Sequence, residues 1–222
     1  MKIGSKEWRR FIIDSARELG IEIDERVTAL FSIHACELIK WNRKINLTAI
    51  TDPREIASRH FLDSLAPAGF ISDKARLLDI GSGGGFPGLP LKIFKPTIFA
   101  LLIDGVRKKI NFLKHVLRIL GLENIEARQM RAEMLLKDPA CVASFDVIIS
   151  RALSDLATFV RSALPLLAQH GTIIAMKGEV DTKELDAVRA NAAEDQYSLE
   201  IEKYGLPSID SQRSLVIIRH LH

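Results

Sequence analysis

The chain has 222 residues, of which 47% are hydrophobic and 27% charged. That balance fits one large globular domain, with or without an appendage, and excludes disorder and collagen-like repetition. A formal net charge of +3 is too small to argue for a nucleic-acid partner by itself. No apolar run approaches the ~20 residues needed to cross a bilayer. The N-terminus, MKIGSKEWRRFIID, lacks the apolar core and small-residue cleavage site of a secretory signal. Cys36 and Cys141 have neither CxxC nor zinc-ligand spacing, which fits a reducing cytosol and no structural metal. The expectation is a cytoplasmic protein with no membrane segment.

The first 75 residues read as helices. Trp8, Phe11, Ile12, Ser15 and Leu19 fall at helical spacing, with Ser5 as N-cap and Gly20 as stop. Val27, Leu30, Phe31, His34, Leu38, Trp41 and Ile45 predict an amphipathic helix over about 24–43. His34 and Trp41 fall on its apolar face and read as core. Asp52-Pro53 is a cap followed by an N1 proline, so another helix starts there. From residue 76 short β-type runs (76–80, 98–104, 125–129, 145–150 and 172–176) alternate with helical stretches (88–95, 107–120 and 155–169). Continuous apolar runs imply strands buried on both faces, hence a mostly parallel sheet between helical layers. Two more strands, 197–203 and 215–219, follow with too little chain for a parallel crossover, so at least one antiparallel strand is expected there.

The segment LLDIGSGGGFPG, 77–88, carries the most information. A buried strand runs into five glycines within 81–88, and then a helix. A tight turn needs one such glycine; five favour a ligand approaching the backbone at the carboxyl end of the first strand. Gly83-x-Gly85-x-x-Gly88 matches a dinucleotide fingerprint, but Pro87 interrupts it. Asp79 precedes the loop and would repel a pyrophosphate. Asp79-x-Gly81-x-Gly83-x-Gly85 is the pattern of loops that bind S-adenosyl-L-methionine (SAM), which carries a sulfonium and no phosphate. The second strand ends at Asp104, an acid placed to accept ribose hydroxyls or to cap the next helix. Ala132-Glu133 follows the third strand, where an adenine edge would arrive; Glu133 also suits a first-turn helix acid. Ser150-Arg151-Ala152 ends the fourth strand, with Arg151 placed to contact donor, base or phosphate, or to form a surface ion pair.

Taken together, KWNRKINLTAI (40–50), RHFLDSL (59–65), LLDIGSGGGFPGLPL (77–91), IDGVRKKINFLK (103–114), ARQMRAE (127–133), FDVIISRAL (145–153) and MKG (176–178) resemble the bacterial small-subunit ribosomal RNA methyltransferase G family, also called glucose-inhibited division protein B. The resemblance implies a class I SAM-dependent methyltransferase fold: an α/β, Rossmann-like, seven-stranded sheet with an antiparallel strand. It implies an N-terminal helical extension (1–60) ahead of the methyltransferase domain (61–222). It further implies methylation of guanine N7 in 16S rRNA near the decoding region, on a 30S particle or its precursor, by a monomer. Gly81 and Phe86 then fall in the SAM loop, Ala132 and Glu133 on the adenine side, Asp104 at the ribose, and Arg151 in the family's SRA segment as the catalytic arginine. Gly105 stands where many members have serine.

Guanine N7 has a free lone pair, so this chemistry needs orientation rather than a general base. The SRAL segment lacks the Asn/Asp-Pro-Pro motif of amine methylation, and Cys141 is poorly placed for C5 chemistry. Basic stretches at 40–44 and 107–118, with Arg59, His60, Lys108, Lys109 and Lys177, are the candidate RNA contacts. Residues 181–202 are acidic. Two other readings stay open: an NAD-linked oxidoreductase using the same loop, and a non-catalytic RNA-binding module.

Overall fold

The computed structural model describes residues 1–151, 155–191, 197–207 and 209–220. Ala152, Leu153, Glu194 and Asp195 lie outside them.

Helix α1 (Lys6–Glu18) starts where Ser5 Oγ accepts the Trp8 N–H at 3.2 Å, and α2 (Glu25–Ile45) where Asp24 accepts from Val27 at 2.8 Å. These side chains satisfy amide donors that a first helical turn leaves unpaired. Both starts follow the sequence expectation. Asp52 caps α3 (Pro53–Glu55), and the chain continues through a π-helical stretch, Ile56–Leu62, into α4 (Asp63–Leu65) and a 3-10 turn, Ala66–Phe70. Nothing in the apolar spacing signals the wider π turn. It places Arg59, His60 and Asp63 around a single site.

The sheet comprises β1 (Arg76–Ile80), β2 (Phe99–Asp104), β3 (Ile125–Gln129), β4 (Phe145–Arg151), β5 (Leu167–Lys177), β6 (Tyr197–Leu206) and β7 (Ile209–His220), in the order β3-β2-β1-β4-β5-β7-β6. The pairs β1·β2, β1·β4, β2·β3 and β4·β5 are parallel. β7 runs antiparallel to both neighbours, as the short final connection requires. Between strands lie α5 (Gly88–Phe94), α6 (Arg107–Leu120), α7 (Leu156–Ala163) and α8 (Thr182–Asn191). α7 is shorter than the expected 155–169: Leu164–Leu166 tightens into a 3-10 turn around Pro165, and β5 begins at Leu167. α8 is an element the sequence reading did not separate from the acidic stretch around it.

Strand alternation divides the core. Leu78, Ile103, Ile148, Ile173 and Val216 face a layer containing Leu156, Phe159 and Leu185. Leu77, Ala100, Ile149, Ile174 and Ile217 face the other way, toward Ile71 and Leu91. On that second side Trp8, Ile12, Phe31, Leu38 and Phe61 form one cluster with Leu89, Leu102 and Phe112. The N-terminal helices therefore share a core with the sheet layer. Trp8 is fully buried and its indole N–H donates to Pro53 O at 2.8 Å, tying α1 to the segment that carries His60.

Candidate functional site

The first cleft opens where β1 and β2 end. It measures about 240 Å³ and is lined by Gly81, Asp104, Gly105, Ala132 and Glu133, with Ile80, Ile103 and Met130 as apolar wall, and Arg131 and Ser162 beside them. Four of the candidate cofactor residues, scattered over 52 positions from Gly81 to Glu133, thus surround one space. Gly81 has φ +76°, and a Cβ there would meet only Ser150 Oγ, at 4.0 Å. The loop therefore offers a bare, open backbone to a ligand.

Most of the loop's own amides are already used. The N–H groups of Gly81 and Ser82 donate to Ile103 O, those of Gly85 and Phe86 to Ser82 O, and that of Leu89 to Gly85 O. Gly83 N–H donates to Asp104 Oδ2 at 3.1 Å and Gly88 N–H to Asp79 Oδ2 at 2.8 Å. A pyrophosphate needs such donors free. Asp104 also accepts from Val106 N–H at 2.8 Å, just before α6, and has Lys109 Nζ at 3.7 Å. It braces the loop, the start of α6 and the cleft together, so a capping-type contact and a ligand-facing position coexist.

Three candidate residues turn inward. Asp79 is fully buried beneath the loop, because the pleat of β1 points Ile80 to the cleft and Asp79 toward α5. Its carboxylate does not line the cleft. Desolvation raises its pKa from 3.8 to about 7, against the opposing Gly88 N–H and Arg151. A Cβ on Gly85 would press on Leu113, Leu89 and His34; this glycine serves packing against α2 and α6. Phe86 is 5% exposed and sandwiched between two imidazoles, His34 at 4.8 Å and His60 at 4.5 Å, both nearly parallel to it, with Phe61 edge-on. It packs under the loop rather than lining the cleft.

His34, fully buried as its helical face implies, donates from Nε2 to Gly84 O at 2.8 Å. A carbonyl can only accept, so Nε2 carries the hydrogen. Burial lowers this imidazole's pKa to about 4. Through His34 the N-terminal helix α2 holds the glycine loop directly.

Arg151, at the end of β4, is held on several sides. Its Nη1 donates to Arg59 O at 2.7 Å and lies 3.3 Å from Asp63 Oδ2, its Nη2 donates to His60 Nδ1 at 3.3 Å, and the guanidinium stands 5.1 Å from the Phe86 ring centre. Since His60 Nδ1 accepts, Nε2 bears the hydrogen and donates to Thr48 Oγ1 at 2.9 Å. Burial, then the neighbouring Arg151 charge, lowers the His60 pKa to about 3. Asp63, 1% exposed, also accepts from Tyr204 Oη at 2.8 Å and has Arg213 Nε at 3.6 Å. Burial and the Asp63 charge raise the Tyr204 pKa, keeping the phenol protonated. Asn42 closes the loop that carries Thr48, accepting from Leu47 and Thr48 N–H and donating to Thr48 O.

A second cleft of about 220 Å³ adjoins Arg151, lined by Arg59, His60, Asp63, Lys177 and Arg213 together with Ile50, Met176 and Gly178. Ser150 Oγ, one residue before Arg151, donates at 2.6 Å to the carbonyl of Ile80, which lines the first cleft. The structure thus brings Arg59, His60, Arg151 and Lys177 together. His60 has both ring nitrogens occupied and is 6% exposed, so it orients Arg151 instead of facing a ligand. Lys109 lies beside Asp104 without lining either cleft, while Lys108 is exposed on α6. Asp63, Tyr204 and Arg213 are site residues that motif reading missed. An acid inside the apolar stretch FLDSLA was the only signal for the first. The other two come from the far end of the chain, and nothing local marks them. Among the described residues no group of three His, Cys, Asp or Glu side chains could hold a metal ion.

The first cleft combines an acid at a strand end, an apolar wall and an amide-poor glycine loop. These residues fit a nucleoside with a cationic tail better than a dinucleotide.

The family model described as rRNA small subunit methyltransferase G matches residues 28–216. A ribosomal RNA small subunit methyltransferase G from Geobacter sulfurreducens is 48% identical over 210 residues, covering 94% of this chain and 96% of its own length. One from Roseiflexus sp. is 39% identical, covering 93% and 89%. Among solved structures, a predicted O-methyltransferase from Agrobacterium tumefaciens superposes with TM-score 0.58 at 18% identity, covering 72% of this chain and 81% of its own. M. jannaschii TYW2, solved in complex with AdoMet, gives 0.56 at 15%, covering 72% and 76%. The structural likenesses establish a methyltransferase-type fold, and the sequence matches, which run nearly end to end, establish that the chain belongs to the rRNA small subunit methyltransferase G family.

Proposed function

We propose that this protein transfers a methyl group from SAM to N7 of one guanine in 16S rRNA, guanine 527, on a 30S particle or its precursor. Residues 1–60 serve as a helical extension to the transfer domain, 61–222, and the protein acts as a cytoplasmic monomer. One observation carries the choice of SAM over a dinucleotide. The loop amides of Gly81, Ser82, Gly83, Gly85, Phe86, Gly88 and Leu89 all donate within the protein, and the carboxylate of Asp104 stands at the loop edge. A cationic donor is attracted there; a pyrophosphate is repelled and finds few donors.

When bound, SAM supplies an activated methyl on sulfur. The chain's part is orientation. Asp104 faces the ribose position, Ala132 and Glu133 the adenine edge, and Gly81 and Gly83 leave room for the tail. Arg151 serves as catalytic donor to the target base. A guanidinium has five N–H donors, and three contacts hold it in place, so donors remain for guanine O6. Donation to N7 would block the reacting lone pair. Holding nucleophile and methyl in line can account for several kcal/mol of the barrier, and no base is needed because N7 carries no proton.

The test is transfer of labelled methyl from SAM to undermethylated 30S particles and to naked 16S rRNA, followed by mapping of the modified base. Label at guanine N7, lost in Arg151→Ala while the variant stays folded, is the expected result. Label on an exocyclic amine, or NADH binding with no calorimetric response to SAM or S-adenosylhomocysteine, refutes the assignment.

A further inference from the structure

Beside Arg151 the charges do not balance. Four cations line the second cleft, Arg59, Arg151, Lys177 and Arg213, against the single carboxylate of Asp63. Glu55 reaches Arg59 at 3.4 Å and Glu184 reaches Lys177 at 2.6 Å. That leaves Arg151 and Arg213 sharing Asp63, which also takes the Tyr204 hydroxyl. Their side chains are only 19% and 24% exposed, and that of Asp63 2%. His60 adds no negative charge. Asp79, the other buried carboxyl acting on Arg151, has its pKa raised to about 7 beneath the loop and so offsets only part of a charge. The buried group keeps a positive excess, and an unpaired buried charge is costly unless an anion completes it.

The hydrogen-bond inventory agrees. Arg213 Nε and Arg59 Nε are buried donors without an acceptor; their nearest carboxylate oxygens, on Asp63 and Glu55, lie outside hydrogen-bond geometry. Gly178 leaves the entry open, since a Cβ there would meet only Arg213 Nη1, at 3.9 Å.

We propose that Arg213, with Arg59 and Lys177, forms an oxyanion subsite beside Arg151 that holds a phosphate of the target RNA strand. This rests on the methyl-transfer reading and deepens it. The donor's own carboxylate shares the chemistry, but the sheet order argues against it. Arg213 lies on β7, three strands from β1 and Gly81. At about 4.8 Å per strand that is roughly 14 Å to the side of the loop.

The experiment uses the full chain with Arg213→Gln, Arg213→Lys and Arg59→Gln. Affinity for undermethylated 30S particles is measured across a salt series, SAM affinity by calorimetry, and folding by thermal unfolding. Arg213→Gln should bind particles more weakly and flatten the plot of log affinity against log salt by about 0.7 to 0.9, the loss of one phosphate contact. SAM affinity should stay within about twofold of wild type. Arg213→Lys should keep the wild-type slope, and Arg59→Gln, which breaks only a half-exposed pair, should flatten it independently. A wild-type slope in both folded Gln variants overturns the subsite. So does a loss of SAM affinity with the salt slope unchanged, which assigns the site to the donor carboxylate. Flattened slopes in the Gln variants, together with a wild-type protein that binds particles but transfers no methyl, refute the transfer reading and leave the subsite standing.

Discussion

The stacked, neutral His60 makes a quantitative prediction about acid stability. Its pKa falls from 6.5 to about 3 in the folded chain, through burial first and the Arg151 charge second. Below pH 6.5 the unfolded chain takes up a proton on this imidazole that the folded chain refuses. Stability therefore drops as pH falls from 6.5 toward 3, at about 1.36 kcal/mol per unit. At pH 4.5, two units into that window, the loss is about 3 kcal/mol, a large share of the 5–15 kcal/mol typical of a whole domain. His60→Gln removes the titration while keeping an amide that can still bond Thr48. Urea unfolding of both proteins at pH 7.5, 6.0 and 4.5 isolates the effect, because His34 and every carboxylate remain in both and cancel. Wild type should lose about 3 kcal/mol of its advantage over the variant across that range. A gap constant to within about 0.5 kcal/mol would show that His60 accepts a proton freely in the folded state, and the Arg151–His60–Thr48 chain would be wrong.

Asp79 should act with the opposite sign. Its folded pKa of about 7 against an ordinary 3.8 means stability falls as pH rises from about 4 to 7 and levels off above; the total is about 4 kcal/mol, absent in Asp79→Asn by the same unfolding series. Asp63→Asn strands Arg151 and Arg213 without their buried counter-charge and should cost about 3–5 kcal/mol; a loss under about 1 kcal/mol would contradict the charge count. Gly88→Ala drives a Cβ into Asp79 and Leu102, so denaturant curves should show about 1–3 kcal/mol of overpacking, with unchanged stability refuting the tight loop-to-strand contact. Asp104→Asn preserves the acceptor for Val106 but not the charge; SAM affinity measured by calorimetry should fall by about 1–3 kcal/mol, and an unaltered value would confine Asp104 to bracing the loop.

Local physics wrote most of the architecture into the sequence. Ser5, Asp24 and Asp52 mark helix starts because a first turn needs side-chain acceptors. The runs 76–80 and 125–129 and the helix 107–120 match the observed bounds, since an apolar period of either kind has one face or two to bury. The first cleft was legible too, because in a parallel sheet consecutive strand ends converge: Gly81, Ala132 and Glu133 follow strands and Asp104 ends one. Which way each side chain turns was not legible. Asp79 and Phe86 sit in the most telling motif of the chain, yet the pleat and the cover of α2 direct them inward, where one props Gly88 and the other is clasped by His34 and His60. Nor could spacing disclose that Asp63, Arg151, Tyr204 and Arg213 meet, for they come from three separate parts of the chain, the last two as partners on β6 and β7. Periodicity and capping act over a few residues and are written in order along the chain; the balance of buried charge is a property of the assembled interior, and only the packing of the helical cover onto the sheet decides it.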